Sequence, residues 1–295
     1  MNTWQAEWKT YLKEKYQHKS DKSIKAAEQH LRVFCEWWQA DNFSTFEPAR
    51  LTSFDLIEYR HHSDEEKIAA NTWNARVSAL RTFCDFLELP QLKESLRMRE
   101  VGYKASKNRS LTRPERLAIM RELEINLRGA KTTFKIKSAL RELTAVGLML
   151  TTGMRVSEIA ALQIDDLKRI GDRTWILTIR HGKGNKERDA HLGKSARKLL
   201  GDWLEFRLAS AMDTSSLFDI SERTLLRHVK DAGYNAGIEG VTPHWLRYTF
   251  AKRLEKEFKA TIEEIRDLLG HASIETTRRY LASGFEEKQS LVEGM

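Results

Sequence analysis

The chain has 295 residues, 41% hydrophobic and 31% charged, with a formal net charge of +8. That length suits one large or two ordinary domains, and the composition excludes a disordered or fibrous chain. No apolar run, the longest lying inside Ala145–Leu150, approaches the roughly 18 residues of a membrane span, and two cysteines, Cys35 and Cys84, are too few for a disulfide framework or a four-ligand zinc site. The N-terminal MNTWQAEWKTYLKEK lacks the apolar core of a signal peptide. The expectation is a cytoplasmic protein that does not associate with membranes. Residues 1–104 hold 16 basic and 16 acidic side chains, so the whole positive excess lies beyond them. Such an excess fits either a polyanionic partner such as nucleic acid or a solvated basic surface.

The first hundred residues read as helices. Asn2–Tyr16, Asp21–Ala40 and Ser53–His62 carry apolar residues at three- and four-residue spacing, and Asp21 can cap the second. In Asn71–Leu87, Trp73, Val77, Leu80, Cys84 and Leu87 share one face while Arg76 and Arg81 point elsewhere. Both cysteines read as small core hydrophobes. This predicts an α-helical domain over 1–90. Pro90 breaks the last helix, and Lys93, Arg97, Arg99, Lys104, Lys107 and Arg109 make the next stretch basic. Residues 91–108 read either as an interdomain linker along a phosphate backbone or as a solvated run.

A second domain over 109–295 starts with a capping signal, Thr112-Arg-Pro-Glu. A helix over 137–151 carries the strongest apolar face in the chain. Residues 174–180 alternate and predict a strand, Gly182-Lys-Gly-Asn-Lys a turn, and 187–192 a returning strand. Helices follow over about 195–211, 221–236, 243–258, 261–269 and 273–282. The fold class is mainly α with a small antiparallel β-sheet.

Four segments can carry chemistry. In Gly153-Met-Arg155-Val-Ser-Glu158 an arginine lies one turn from a carboxylate. A fork so held suits two phosphate oxygens, although a plain helix-surface ion pair has the same spacing. In His181-Gly-Lys183-Gly-Asn-Lys186-Glu-Arg188 glycines flank a lysine that can enter a groove, donate a proton or simply be solvated. It is not a P-loop, because the Gly-Lys-Ser/Thr ending is absent. In Thr242-Pro-His244-Trp-Leu-Arg247, imidazole and guanidinium share the first turns of a helix, where an anion is favoured. This is no zinc site, since arginine is not a ligand. Finally, Leu269-Gly270-His271-Ala-Ser273 precedes Tyr280, either a packing residue or a phenol activated by neighbouring cations.

The order Arg–Lys–His-x-x-Arg–His–Tyr, within TTGMRVSEIAAL, HGKGNKER, TPHWLRYTFA and LLGHASIETTRRY, resembles the tyrosine recombinases of the phage integrase family, and in size and layout the bacterial Xer recombinases. The resemblance covers essentially the whole chain and shows no departure at the six positions. Lys131–Lys137 reads as a small insertion. The resemblance implies a SAM-like core-binding domain, then a mixed α/β catalytic domain clamping double-stranded DNA, with no arm-binding domain ahead of them. It implies a nucleophile, Tyr280, that forms a 3′-phosphotyrosine, with Arg155, Arg247 and His271 on the phosphate. His244 is the implied base, Lys183 the implied acid and Glu158 the orienting group. No metal or cofactor is implied. The resemblance further implies strand exchange through a Holliday junction by a homotetramer, or a heterotetramer with a related recombinase, with the tail Phe285–Met295 docking on a neighbouring subunit.

Expected DNA contacts are Lys22, Lys25, Arg76, Arg81, Lys107, Arg109, Lys186, Arg223 and Arg227, with His228 and Lys230 beside the last two. A type IB topoisomerase shares the chemistry and would relax plasmids that carry no recombination site. A non-catalytic DNA-binding protein would form no covalent adduct.

Overall fold

A computed structural model describes residues 3–17, 21–100, 109–171, 173–180, 187–271 and 273–281; the side chains of Arg279 and Tyr280 lie outside that description. Short hydroxyl side chains set half of the α-helix starts. Thr52, Thr112, Thr132, Ser221, Thr242 and Thr261 each accept a hydrogen bond from the backbone N–H three residues on. Thr52, Thr112 and Thr261 complete capping boxes, with the acid at the third helical position bonding back. The chain divides into two units, 1–104 and 105–295.

The first unit contains α1 (Thr3–Lys15), α2 (Asp21–Asn42), α3 (Ser53–Glu65) and α4 (Ala70–Phe86). The helical periodicity therefore places these four α-helices within a few residues. Its core is aromatic: Trp8, Phe34, Trp38, Phe46, Tyr59, Trp73 and Phe83 are buried. Their rings meet largely edge to face, as in Phe34–Tyr59 (5.0 Å, 81°) and Trp38–Phe46 (5.3 Å, 82°), the arrangement the ring quadrupole favours. Cys84 is buried and Cys35 half-buried, and burial pushes their thiols up to about 11 and about 12.

Residues 90–99, where the stretch read as a linker begins, pack against the first unit. A 3-10 turn, Pro90–Ser95, is followed by an extended stretch, and Leu92 and Leu96 join the first core. The Trp73 indole donates to the Arg97 carbonyl (2.9 Å), and Asn74 exchanges two hydrogen bonds with the Arg99 backbone. Arg99 donates to the Ile68 carbonyl and pairs with Asp64 (both 2.5 Å). Pro90 ends α4, yet two leucines four residues apart suffice to bring the chain back onto it.

The second unit is built on α6 (Thr133–Thr152), buried along most of its last three turns. Around it pack α5 (Arg113–Gly129), α7 (Val156–Ala161), α8 (Lys194–Ala209), α9 (Glu222–Asn235) and α10 (Pro243–Phe258). The shorter α11 (Ile262–Leu269) and α12 (Ile274–Leu281) follow. Residues 133–137, read as part of an insertion, form the first turn of α6.

The sheet has three antiparallel strands in the order β1 (Leu167–Ile170), β2 (Thr174–Ile179), β3 (Arg188–His191). Sequence alternation finds β2 and β3. It misses β1, a mostly exposed edge strand that pairs Leu167 with Leu177 and shows no buried face of its own. Among the described residues no helix is long and apolar enough to cross a membrane.

Gly153 ends α6 in the left-handed region at φ 66°. A Cβ there would press into the Phe250 ring and lie 2.9 Å from Leu269 Cδ2, so glycine is required for space as well as conformation. In the first unit, Trp73→Ala removes a fully buried indole and its hydrogen bond. The expected cost is about 3–5 kcal/mol, measured by denaturant unfolding of the intact chain.

Candidate active site

The site begins where α6 stops. Gly153 turns the chain, Arg155 takes the position just before α7, and Glu158 is the third residue of that helix. The Glu158 side chain is 1% exposed. It accepts from the Arg155 backbone N–H (2.8 Å) and from Arg155 Nη1 (2.6 Å). A second guanidinium, that of Arg188 on β3, donates to both carboxylate oxygens at 2.8 Å. Burial alone would raise the Glu158 pKa. The Arg188 hydrogen bonds and charge, followed by the Arg155 N–H and charge, outweigh it and hold the carboxyl at about 2. The sequence spacing locates the Arg155–Glu158 pair but not Arg188. The available signal is strand alternation: Arg188 shares a face with buried Ala190, and an arginine on an inward face needs a carboxylate.

Arg247 lies on the second turn of α10 and is 2% exposed. Its fork donates to two carbonyls, Gly153 (2.7 Å, from Nη1) and Leu269 (2.6 Å, from Nη2). One side chain thus joins the turn before Arg155 to the end of α11. Gly270 closes that helix at φ 63°, and His271 follows. His271 is nearly buried, and its Nδ1 lies 2.9 Å from the hydroxyl of fully buried Thr277 on α12. Thr277, a second residue missed from sequence, ties His271 to the helix that bears Tyr280. Lys252 of α10 fastens the far end of α12 by donating to the Leu281 carbonyl (2.7 Å). Ser273 accepts from the Glu275 N–H at the start of α12, as its place in the sequence suggests.

His244 keeps an exposed face at the start of α10. Its pKa is lowered, first by partial burial of the ring and then by the charges of Arg247 and Arg155. The segments of Arg155, His244, Arg247 and His271 therefore converge. Lys183 and the side chain of Tyr280 lie outside the described residues, as do Lys107 and Lys186. Among the described residues no three His, Cys, Asp or Glu side chains gather as a metal site requires.

The expected DNA contacts divide into two kinds. Lys22, Lys25, Arg223, Arg227 and Lys230 are exposed. Arg76 donates to the Tyr59 hydroxyl (3.1 Å), and Arg81 places two donors on the Leu96 carbonyl. Arg109 grips Glu115 with both terminal nitrogens and lies 4.7 Å over the Trp245 ring. These three serve the fold. His228 turns inward on α9, 3.7 Å from Glu142, rather than outward with Arg227. Burial and the neighbouring Asp231 push Glu142 up to about 7.

Comparison with known proteins gives the same picture. The phage integrase family pattern matches residues 115–287, and the phage integrase N-terminal SAM-like domain matches residues 6–90. The chain is 28% identical over 266 residues to the tyrosine recombinase XerC of Leptospira interrogans serogroup Icterohaemorrhagiae serovar copenhageni, covering 86% of this chain and 79% of that one. It is 35% identical over 147 residues to XerC of Corynebacterium glutamicum, 48% of this chain and 46% of the relative. The chain spans about half the length of the first curated relatives it matches. Among solved structures, XerH bound to its difH substrate in a pre-cleavage complex superposes with a TM-score of 0.67 at 21% identity, covering 91% of this chain and 78% of that one. A lambda integrase dimer bound to a COC′ core site gives 0.61 at 16%, covering 93% and 94%. At such identities the likeness is one of fold.

Because the Glu158 pKa is depressed, its ionised form stabilises the fold above its ordinary value of 4.5, and that contribution is lost as pH falls towards about 2. The shift corresponds to about 3 kcal/mol. Glu158→Gln is expected to lose that much at neutral pH and to flatten the acid limb of stability, read by denaturant unfolding at a series of pH values.

Proposed function

Since the chain belongs to the phage integrase family, we propose that it is a site-specific tyrosine recombinase. It cuts and rejoins double-stranded DNA without metal or ATP. The observation that carries this reading is the Arg247 fork, which draws the Arg155 and His271 segments together around the helix start that bears His244.

In this mechanism the Tyr280 oxygen attacks a scissile phosphorus, and the bond from phosphorus to the 5′-oxygen breaks. The phenolic proton passes to His244, whose lowered pKa keeps it neutral and able to accept. Lys183 gives its proton to the departing 5′-oxygen. Arg155 and His271 bind phosphate oxygens, and Arg247 adds fixed positive charge and holds both in place. Groups preorganised for the transition state are each worth about 10²–10³ in rate. The 3′-phosphotyrosine conserves the energy of the broken bond, so the 5′-hydroxyl of a partner strand can reverse the attack. Two such rounds pass through a Holliday junction in a tetramer, within the cytoplasm. Arg223, Arg227 and Lys230 on α9, with Lys22 and Lys25 on α2, supply phosphate contacts.

The test uses nicked suicide duplexes selected for binding from a pool of random-sequence DNA. The unaltered chain is expected to form a covalent protein–DNA adduct that survives denaturation. Tyr280→Phe should retain DNA affinity and form none. An adduct that persists in Tyr280→Phe would move the nucleophile, with Tyr248 the next candidate.

A further inference from the structure

Arg188 lies outside the set of residues that the proposed chemistry uses, yet its contacts run from the Arg155–Glu158 pair to the turn before His271. Its guanidinium caps both oxygens of Glu158 from β3. Its Nε faces the Leu268 carbonyl at the end of α11 (3.4 Å). Its stem crosses Gly270 so closely that a Cβ there would lie 2.6 Å from Arg188 Cδ. The glycine at φ 63° before His271 thus gives room to this arginine as well as turning the chain. The side chain is only 11% exposed.

We propose that Arg188 is a positioning residue of the active site: by sharing Glu158 with Arg155 and bracing the Gly270 turn, it fixes Arg155 and His271 relative to the strand that follows Lys183. The proposal rests on the recombinase reading above. The physical argument concerns the division of one negative charge. Glu158 offers two oxygens, and Arg188 occupies one lobe of each. Arg155 bonds a single oxygen through Nη1, and among the described residues Nη1 is the one terminal nitrogen of that fork so engaged. Without Arg188, the buried carboxylate has one guanidinium left to neutralise it. Arg155 is then drawn into a two-pronged grip on Glu158, and its fork turns away from an incoming phosphate. Arg188 acts through Arg155 and His271 and does not itself meet DNA.

The full chain is assayed in single-turnover cleavage of the same binding-selected nicked duplexes. Arg188→Met is expected to slow adduct formation about 10²-fold, the size of effect produced by a misplaced catalytic group, with DNA affinity unchanged. Its loss relative to the unaltered chain should also shrink as pH falls, on top of the acid limb that the His244 base gives to both. Glu158 freed from Arg188 regains a higher pKa, and its protonation releases Arg155 as pH falls. Arg188→Lys, which keeps the charge without the fork, should recover part of the rate and retain the thermal midpoint. The double variant Arg188→Met/Glu158→Gln should lose no more than the worse single variant, as groups acting as one unit do. A rate for Arg188→Met within about twofold of the unaltered chain, or a double variant whose loss is the product of the two single losses, would overturn the positioning role while leaving the recombinase reading intact. If Arg188→Met does not fold, full rate and a pH profile identical to that of the unaltered chain in Arg188→Lys would overturn it. No adduct from the unaltered chain would instead overturn the recombinase reading, and this proposal with it.

Discussion

A carboxylate removed from water must be neutralised where it lies, and in the second unit that demand falls on Glu158. An ionised carboxyl in a protein interior costs several kcal/mol in lost hydration. The cost is offset here because four donors fill its two oxygens: the Arg155 N–H, one Arg155 nitrogen and both terminal nitrogens of Arg188. The geometry leaves little slack. Two guanidinium groups cannot both reach one carboxylate unless the start of α7 and the start of β3 keep a fixed separation. The small sheet, otherwise a short and half-exposed element, is anchored to the helical core at that point.

Arg247 solves the complementary problem. It is a buried cation, and among the described residues its terminal nitrogens sit on two carbonyl oxygens rather than on a carboxylate. Its charge, with that of Arg155, adds to the partial burial of the His244 ring in lowering the pKa of that imidazole. The two arginines thus have separate tasks. Arg188 compensates a charge already present, and Arg247 fixes the Gly153 turn and the end of α11 that flank the site.

Elements set by local chemistry were legible in the sequence; contacts set by distant segments were not. The capping threonines, the glycines ending α6 and α11, and the apolar spacing of α1–α4 each act within a few residues, so the chain itself announces them. The Arg155–Glu158 pair lies one helical turn apart and is equally visible. Arg188 and Thr277 find their partners 30 and six residues away. Nothing in HGKGNKER separates an arginine that braces a buried acid from one that meets solvent, except its parity with Ala190. β1 was missed for a related reason: with mostly exposed residues it has no alternation to read, and its pairing with β2 alone defines it. The basic stretch after Pro90 misled for the opposite reason. Its charges stood out, while Leu92 and Leu96, which decide where it packs, did not.

The same division between visible charge and hidden contact bears on how DNA would be held. The first unit has no net charge to spend, and several of its arginines are already committed: Arg76 to Tyr59, Arg81 to Leu96, Arg99 to Ile68 and Asp64. An arginine whose fork is filled by its own fold must give up those bonds before gripping a phosphate, and such an exchange gains little. Exposed cations without that commitment carry the electrostatic part of binding more effectively. On this argument the proposed grip in the first unit falls mainly to α2, through exposed Lys25. In the second it falls to α9, whose outer face presents Arg223, Arg227 and Lys230 while His228 is turned towards Glu142. A helix with cations on one side and an imidazole turned towards a largely buried acid on the other is held by its core face, which fixes the direction in which its basic face is presented.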